Sequence, residues 1–343
     1  MEKLHFDSDY MRGACPEVLE RLVATNLKQT PGYGSDIYCD NARRLIRETC
    51  GCPEAEVWFL VGGTQTNAFV IDAVLKSYQG VVCADTGHIN VHEAGAIEAT
   101  GHKVMTLPNH DGKIWAKELE ELLVEFYSDD THEHMVEPGM VYISYPTEYG
   151  TLYSLKELKA LKRVCRKYKI PLYADGARLG YGLAAQSEVT LREMADIFDI
   201  FYIGGTKVGA LFGEAVVIPD KKLIERPIPL IKQHGALLAK GRLLGIQFET
   251  LFSDDLYLRI SRHAVAMAMQ LKKGFTGKGY RPFIDSPTNQ QFFKLPNQLI
   301  DRLEEIASFE YWGPKGPEES IIRFVTDWAT SPQDIAQLIE TLD

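Results

Sequence analysis

The stretch "FDIFYIGGTKVGALFGEA", residues 198–215, decides how this chain is read. It opens as a β-branched and aromatic run, meets Gly204, Gly205, Thr206 and Lys207, and turns apolar again at once. A lysine ammonium taken out of water is destabilising unless it is paired, deprotonated or covalently engaged. Either the chain turns outward at Lys207, or the amine has chemistry to do. The neighbouring sequence decides between the two.

Working outward, the pattern repeats. "VWFLVGG" (57–63), "GVVCADTG" (80–87), "HKVMTLP" (102–108), "GMVYISYP" (139–146), "IPLYADGAR" (170–178) and "EAVVIPD" (214–220) read as strands. Between them lie helical patterns: "TQTNAFVIDAVLKSY", with Phe69, Val70, Ala73 and Val74 at i,i+4 spacing, then "VHEAGAIEAT", "WAKELEELLVEFY" and "LREMADI". Ser154 and Glu157 form a capping box at the head of "LKELKALKRVCRKY". Strand and helix alternating at this spacing specify an α/β fold, a mainly parallel sheet with helices on both faces.

Past residue 228 the character changes. "LIKQHGALLAKGRLLGIQFETLF" and "DLYLRISRHAVAMAMQLKKGF" read as two long helices. "QQFFKLP", "NQLIDRLEEIA", "IIRFVTD" and "PQDIAQLIETL" then give strand, helix, strand, helix, with Ser331 as N-cap and Pro332 first in the last helix. The expected division is a large domain at 13–245 and a small α+β domain at 246–343, with segment 1–12 packing nearby.

The chain has 343 residues, 45% of them hydrophobic, and a net charge of −10. The negative balance argues against nucleic acid and against an anionic membrane surface as partners. Six cysteines are scattered without C-x-x-C spacing, which reads as reduced thiols. "MEKLHFDSDY" carries neither an apolar signal core nor an arginine-rich transit pattern, so a cytoplasmic protein is expected.

In open α/β sheets, ligands bind beyond the carboxyl ends of the strands. Immediately after the proposed strands come Gly63-Thr64-Gln65, Asp85 to His88, Tyr145 to Glu148, Asp175 to Arg178, and Thr206-Lys207. Each has an ordinary explanation alone: glycine-threonine as an N-cap, Asp175 as a turn residue, His88 as a polar loop residue. His132-Glu133-His134 reads as a solvated turn rather than a metal pair, and no metal is expected. Together, the strand-end positions supply what pyridoxal 5′-phosphate requires: a helix start for the phosphate, an aspartate for the ring nitrogen, a histidine against the ring and a lysine for the Schiff base.

"FDSDY", "GYGSD", "GGTQTN", "DTGHINVHEAGA", "YADGARLG", "YIGGTKVGALFGEA", "GALLAKGRLLG" and "IIRFVTDW" together resemble the threonine aldolase / β-eliminating lyase family of fold-type I pyridoxal-phosphate enzymes. The resemblance covers nearly the whole chain. It implies Lys207 for the covalent cofactor link, Asp175 on the pyridine nitrogen, His88 on the ring face, and Gly63, Thr64, Gln65 and Thr206 about the phosphate. It further implies Arg178 and Arg323 on the substrate carboxylate, aided by Ser8, since an arginine fork meets a carboxylate in two parallel bonds. Tyr33 reads either as an active-site wall supplied by a partner subunit or as core.

Two positions depart from the family pattern. "SYPTEYGT" puts Glu148 where many members carry a second active-site histidine. "GRLLGIQFET" keeps Arg242, a residue that reaches a neighbour's phosphate, but has Glu249 at the second basic position. The activity implied is cleavage of L-threonine or L-allo-threonine to glycine and an aldehyde, with His88, Glu148 or an ordered water as base, in a homodimer or homotetramer. The alternatives are phenylserine-type cleavage, β-elimination or racemisation on the same cofactor. A nicotinamide dehydrogenase is disfavoured because G-x-G-x-x-G is missing. A non-catalytic binding module is the remaining alternative, and a colourless, cofactor-free protein would favour it.

Overall fold

The structure is a computed structural model that describes residues 3–186 and 188–342. Seven strands make the large sheet: β1 (Glu56–Leu60), β2 (Gln79–Ala84), β3 (Val104–Leu107), β4 (Glu137–Ser144), β5 (Leu172–Asp175), β6 (Ile200–Gly204) and β7 (Glu214–Ile218). Their order in space is β1-β7-β6-β5-β4-β2-β3. All neighbours are parallel except the two pairs made by β7, which runs antiparallel to β1 and to β6. The expected mainly parallel sheet is therefore present, with one strand reversed.

Both faces of the sheet are covered. Val82, Val141, Ala174, Phe201 and Val217 point into one core, and Val81, Tyr142, Tyr173, Tyr202 and Val216 into the other. That is the period-2 alternation of a pleated strand, in which neither face is left to water. The capping box at Ser154 forms as expected, with the Glu157 carboxylate accepting the Ser154 backbone N–H.

Two helices expected from the sequence do not form as read. "VHEAGAIEAT" is a bend and a 3₁₀ turn rather than a helix, because Ala94 and Gly95 adopt φ of +50° and +73°. The 230–252 run is two helices, Pro227–Gln233 and Arg242–Leu251, parted at Gly235, whose φ is +67°. Apolar periodicity carried through both breaks, and left-handed backbone ended them.

The C-terminal part builds a four-stranded antiparallel sheet from β8 (Pro282–Ile284), β9 (Gln290–Pro296), β10 (Glu310–Tyr311) and β11 (Glu319–Val325), in the order β10-β11-β9-β8. Its own core gathers Phe275, Phe293, Leu299, Phe324 and Leu338. The Leu256–Gly277 helix serves both units. Its first half (Leu256, Tyr257, Ala264) packs into the large-sheet core, and Leu271 and Phe275 into the small one. Phe6 also enters the small core, and its carbonyl accepts the Val325 N–H at 2.8 Å. The N-terminal segment is thereby led to the mouth of the large sheet. All six cysteines are unpaired, and among the described residues no helix is long and apolar enough to cross a membrane.

Candidate active site

At the carboxyl ends of the parallel strands the backbone itself is packed tightly. A Cβ on Gly176 would lie 1.8 Å from the Tyr202 carbonyl oxygen, and one on Gly204 2.3 Å from that of Ala177. Only glycine lets the turn after β5 lie against the end of β6, where Gly204 donates to the Gly176 carbonyl at 2.9 Å. Tyr257 locks the same junction from the 256–277 helix. Its hydroxyl donates to Gly204 O and accepts from Gly180 N, both at 3.0 Å. A Cβ on Gly205 would lie 2.8 Å from the Gly213 carbonyl oxygen, so both glycines ahead of Lys207 are a packing requirement that fixes where the lysine emerges.

Gly63, Thr64, His88, Glu148, Asp175, Arg178, Thr206 and Lys207 line one cavity of about 220 Å³, shared with Glu93, Ser144, Tyr202 and Glu214. Lys207 also opens on an adjoining cavity with His88, His92, Glu148, Arg178 and Arg323. The helix that begins at Gly63 has no capping side chain, and its first residues, Gly63 and Thr64, line the cavity.

Asp175 is 4% exposed and accepts four hydrogen bonds. Tyr142 and Asn67 donate to one oxygen at 2.7 and 2.9 Å, and Ala177 N and the Tyr202 hydroxyl to the other. Burial would raise its pKa; the His88 charge and these hydrogen bonds outweigh burial and hold it below the usual carboxylate range. At neutral pH this leaves a buried, ionised carboxylate.

Lys207 is half-buried. Its amine lies 5.7 Å from the Tyr10 ring, and among the described residues no carboxylate or hydrogen-bond acceptor is paired with it. Burial and the nearby Arg178 guanidinium lower its pKa to about 8. His88 Nδ1 is fixed 2.8 Å from Glu93, which is wholly buried and bonded to Asn67 at 2.7 Å. Glu148 accepts the His88 N–H at 2.9 Å and the Ser144 hydroxyl at 2.5 Å, and burial raises its pKa.

Arg178 is gripped by Asp9 through two parallel bonds, and Arg323 is shared between Gln290 at 2.8 Å and Glu310, its Nε buried without a partner. Ser8 is buried with an unpartnered hydroxyl beside Asp9, outside the cavity lining. Three further expected residues are not brought to the cavity by this chain. The Gln65 side chain turns away to Val61 N and His234 O, leaving only its backbone at the helix start. Arg242 donates to the carbonyls of Thr25 and Lys28 on the outer surface. Tyr33 is 52% exposed under Lys232, which overturns the reading of it as core. His132-Glu133-His134 is a surface 3₁₀ turn.

The sequence reading missed Asn67, Glu93, Asp9, Tyr202 and Glu214. Asn67 joins three of the groups: its amide donates to Glu93 and Asp175, and its oxygen accepts from Tyr173 at 2.7 Å. The available signal was polar residues inside apolar runs, Asn67 in "TQTNAFVID" and Glu214 heading "EAVVI".

A mainly parallel seven-stranded sheet, a small antiparallel companion and a lysine facing an aspartate across the strand ends define a fold-type I enzyme. The solved aspartate aminotransferase of Thermus thermophilus shares that fold, with a TM-score of 0.72 at 14% identity, covering 99% of this chain and 91% of its own. The β-eliminating lyase family matches residues 5–285, and the chain belongs to that family. It is 32% identical to the low-specificity L-threonine aldolase of a Pseudomonas strain, over 97% of this chain and 95% of that protein. It also resembles the solved Leishmania major threonine aldolase, with a TM-score of 0.96 and 41% identity, covering 99% of this chain and 98% of that one.

Proposed function

We propose that this protein is an aldehyde-lyase that cleaves L-threonine or L-allo-threonine to glycine and acetaldehyde, with pyridoxal 5′-phosphate as cofactor. One observation carries the reading: an unpaired, half-buried Lys207 amine shares a cavity with an ionised Asp175 and an uncapped helix start. The donor set fits the cofactor. The Gly63 and Thr64 N–H groups suit a phosphate, Asp175 suits a cationic ring nitrogen, and the Lys207 amine, lowered to about 8, is a competent nucleophile near neutral pH. Bound there, the cofactor supplies an electron sink for the pair released when Cα–Cβ breaks.

The chain's own residues do the rest. Arg323, with its unpartnered Nε, takes the substrate carboxylate, and Arg178 lines the same cavity. Holding that carboxylate selects which bond at Cα stands ready to break. Glu148 removes the β-hydroxyl proton. Its raised pKa makes it a stronger base than an exposed carboxylate, and the His88 N–H and Ser144 hydroxyl aim it. The proton taken from the hydroxyl equals the one that glycine needs at Cα, so no other reactant is required. His88, steadied by Glu93, would hold its ring against the cofactor.

The same reading makes the protein a cytoplasmic homodimer or homotetramer, in which Arg242 and Tyr33 serve a neighbour's site. Six unpaired cysteines and the apolar Val23 and Leu27, exposed on the groove that Arg242 lines, support this. The test is aldehyde release from L-threonine and from L-allo-threonine, read by a coupled dehydrogenase. Silence with both, alongside elimination or racemisation of another amino acid, would replace the assignment.

A further inference from the structure

Because β7 runs antiparallel, its beginning lies where the other strands end. Glu214, its first residue, stands opposite Leu60 of β1 on one side and Gly204 of β6 on the other. Leu60 leads in three residues to Gly63 at the helix start, and Gly204 leads in three to Lys207. Glu214 therefore sits between the anion cradle and the lysine. It is 3% exposed and lines the cavity. A carboxylate in that position is at odds with a dianion bound beside it.

The hydrogen bonds around Glu214 sharpen the conflict. The Thr206 hydroxyl donates to Glu214 Oε1 at 2.8 Å and accepts the Gly213 N–H at 2.9 Å, while Gly205 N donates to Oε2 at 3.1 Å. A threonine hydroxyl has a single proton. While Glu214 is ionised it claims that proton, and Thr206 has nothing to offer a phosphate.

We propose that Glu214 is a proton-linked positioning residue for the cofactor phosphate: neutral, it gives its own proton to Thr206 Oγ1, which turns the Thr206 hydroxyl proton toward the anion. Binding of the phosphate then takes up a proton at Glu214, and ionisation of Glu214 withdraws the Thr206 donor and repels the ligand. The inference rests on reading the cavity as the pyridoxal-phosphate site. Burial, only partly offset by the Thr206 bond and the Lys207 charge, raises the Glu214 pKa to about 8, so the neutral form is available at neutral pH. The titratable groups that face it are Lys207 after β6, Asp175 and Tyr173 on β5, Tyr202 on β6 and Tyr257 from the 256–277 helix. Among them Lys207 alone is cationic, and it titrates in the same range, which the comparison of variants below cancels.

The test is calorimetric binding of pyridoxamine 5′-phosphate, which has no aldehyde to react with Lys207, to the full chain freed of cofactor, between pH 6.5 and 9.5. Glu214→Gln, whose amide is a permanent neutral donor, is expected to bind within about threefold of wild type at pH 7. Wild type is expected to lose affinity about tenfold more than the variant for each pH unit above the Glu214 pKa. Proton uptake on binding, read from heats in buffers of different ionisation enthalpy, should fall by about one proton per site at pH 9 in the variant. Thr206→Val should weaken binding at pH 7 and bring the pH dependence close to that of Glu214→Gln. Equal pH slopes in wild type and Glu214→Gln overturn the proposal. So does a tenfold loss at pH 7 in Glu214→Gln, which would mean that the carboxylate itself is needed. No binding by any form overturns the cofactor reading, and this inference falls with it.

Discussion

Asp9 and Arg178 are joined by two parallel hydrogen bonds, Nε to Oδ2 at 2.7 Å and Nη2 to Oδ1 at 3.0 Å, with Asn289 adding a third contact to Asp9 at 2.9 Å. The guanidinium edge that would meet a substrate carboxylate in two bonds is already occupied by a carboxylate of the chain. Arg178 thus ties the N-terminal segment to the turn after β5, and of the two arginines only Arg323 keeps a buried, unpartnered nitrogen, its Nε.

Removing that tie has a thermodynamic signature. Asp9→Ala leaves a buried arginine without its counter-charge and is expected to destabilise the protein by about 3–5 kcal/mol, read by denaturant unfolding. Burial opposes ionisation of Asp9, but Arg178 and Lys207 hold its pKa below the ordinary 3.8. A depressed carboxylate stabilises the fold above the unfolded value and loses that contribution as pH falls through the folded one. The difference between wild type and Asp9→Ala should therefore persist above about pH 4 and shrink below it.

Lys207→Ala is expected to abolish turnover of L-threonine and L-allo-threonine and the visible absorbance of the cofactor-loaded protein, while leaving the folded structure intact. An alanine variant as active as wild type would rule out a covalent role for the amine.

Glu148→Gln tests the base. We expect kcat to fall about 10²- to 10⁴-fold with KM little changed. Burial first, and then the Asp175 charge, raise the Glu148 pKa, offset in part by its hydrogen bonds. The acid limb of wild-type kcat should lie above the ordinary carboxylate range, since the base must be ionised to act, and the variant should lack it. An unchanged acid limb would transfer the role to another group.

His92 offers a separate handle on specificity. Its ring stands 5.7 Å from His88 and 6.3 Å from Trp312, on the wall of the outer cavity. Burial, then the neighbouring His88 and Arg323, lower its pKa, which favours the neutral imidazole on the cavity wall. His92→Phe is expected to change the ratio of kcat/KM for the two threonine diastereomers by about tenfold, equivalent to ~1.4 kcal/mol, without altering cofactor affinity. A constant ratio would remove His92 from contact with the β-substituent.

The order of strands and helices, the lysine after β6 and the aspartate at the end of β5 were legible in the sequence, because strand periodicity, capping boxes and strand-end polar residues are local signals. The breaks at Ala94 and Gly235 were not, since a left-handed residue leaves apolar spacing undisturbed. Nor was the occupation of Arg178, because Asp9 lies 169 positions away and reaches it only when the Phe6 segment packs into the small core. Glu214 is the plainest case. In the chain it heads an ordinary apolar run, and nothing local says that β7 is reversed. Only the sheet, by pairing Glu214 with Leu60 and Gly204, carries its carboxyl to the catalytic edge. The sequence by itself determined which elements form and which chemistry they carry, since both rest on neighbours within a few residues. Tertiary structure decided which charges face one another, since those distances are set by strand pairing and core packing between residues far apart in the chain.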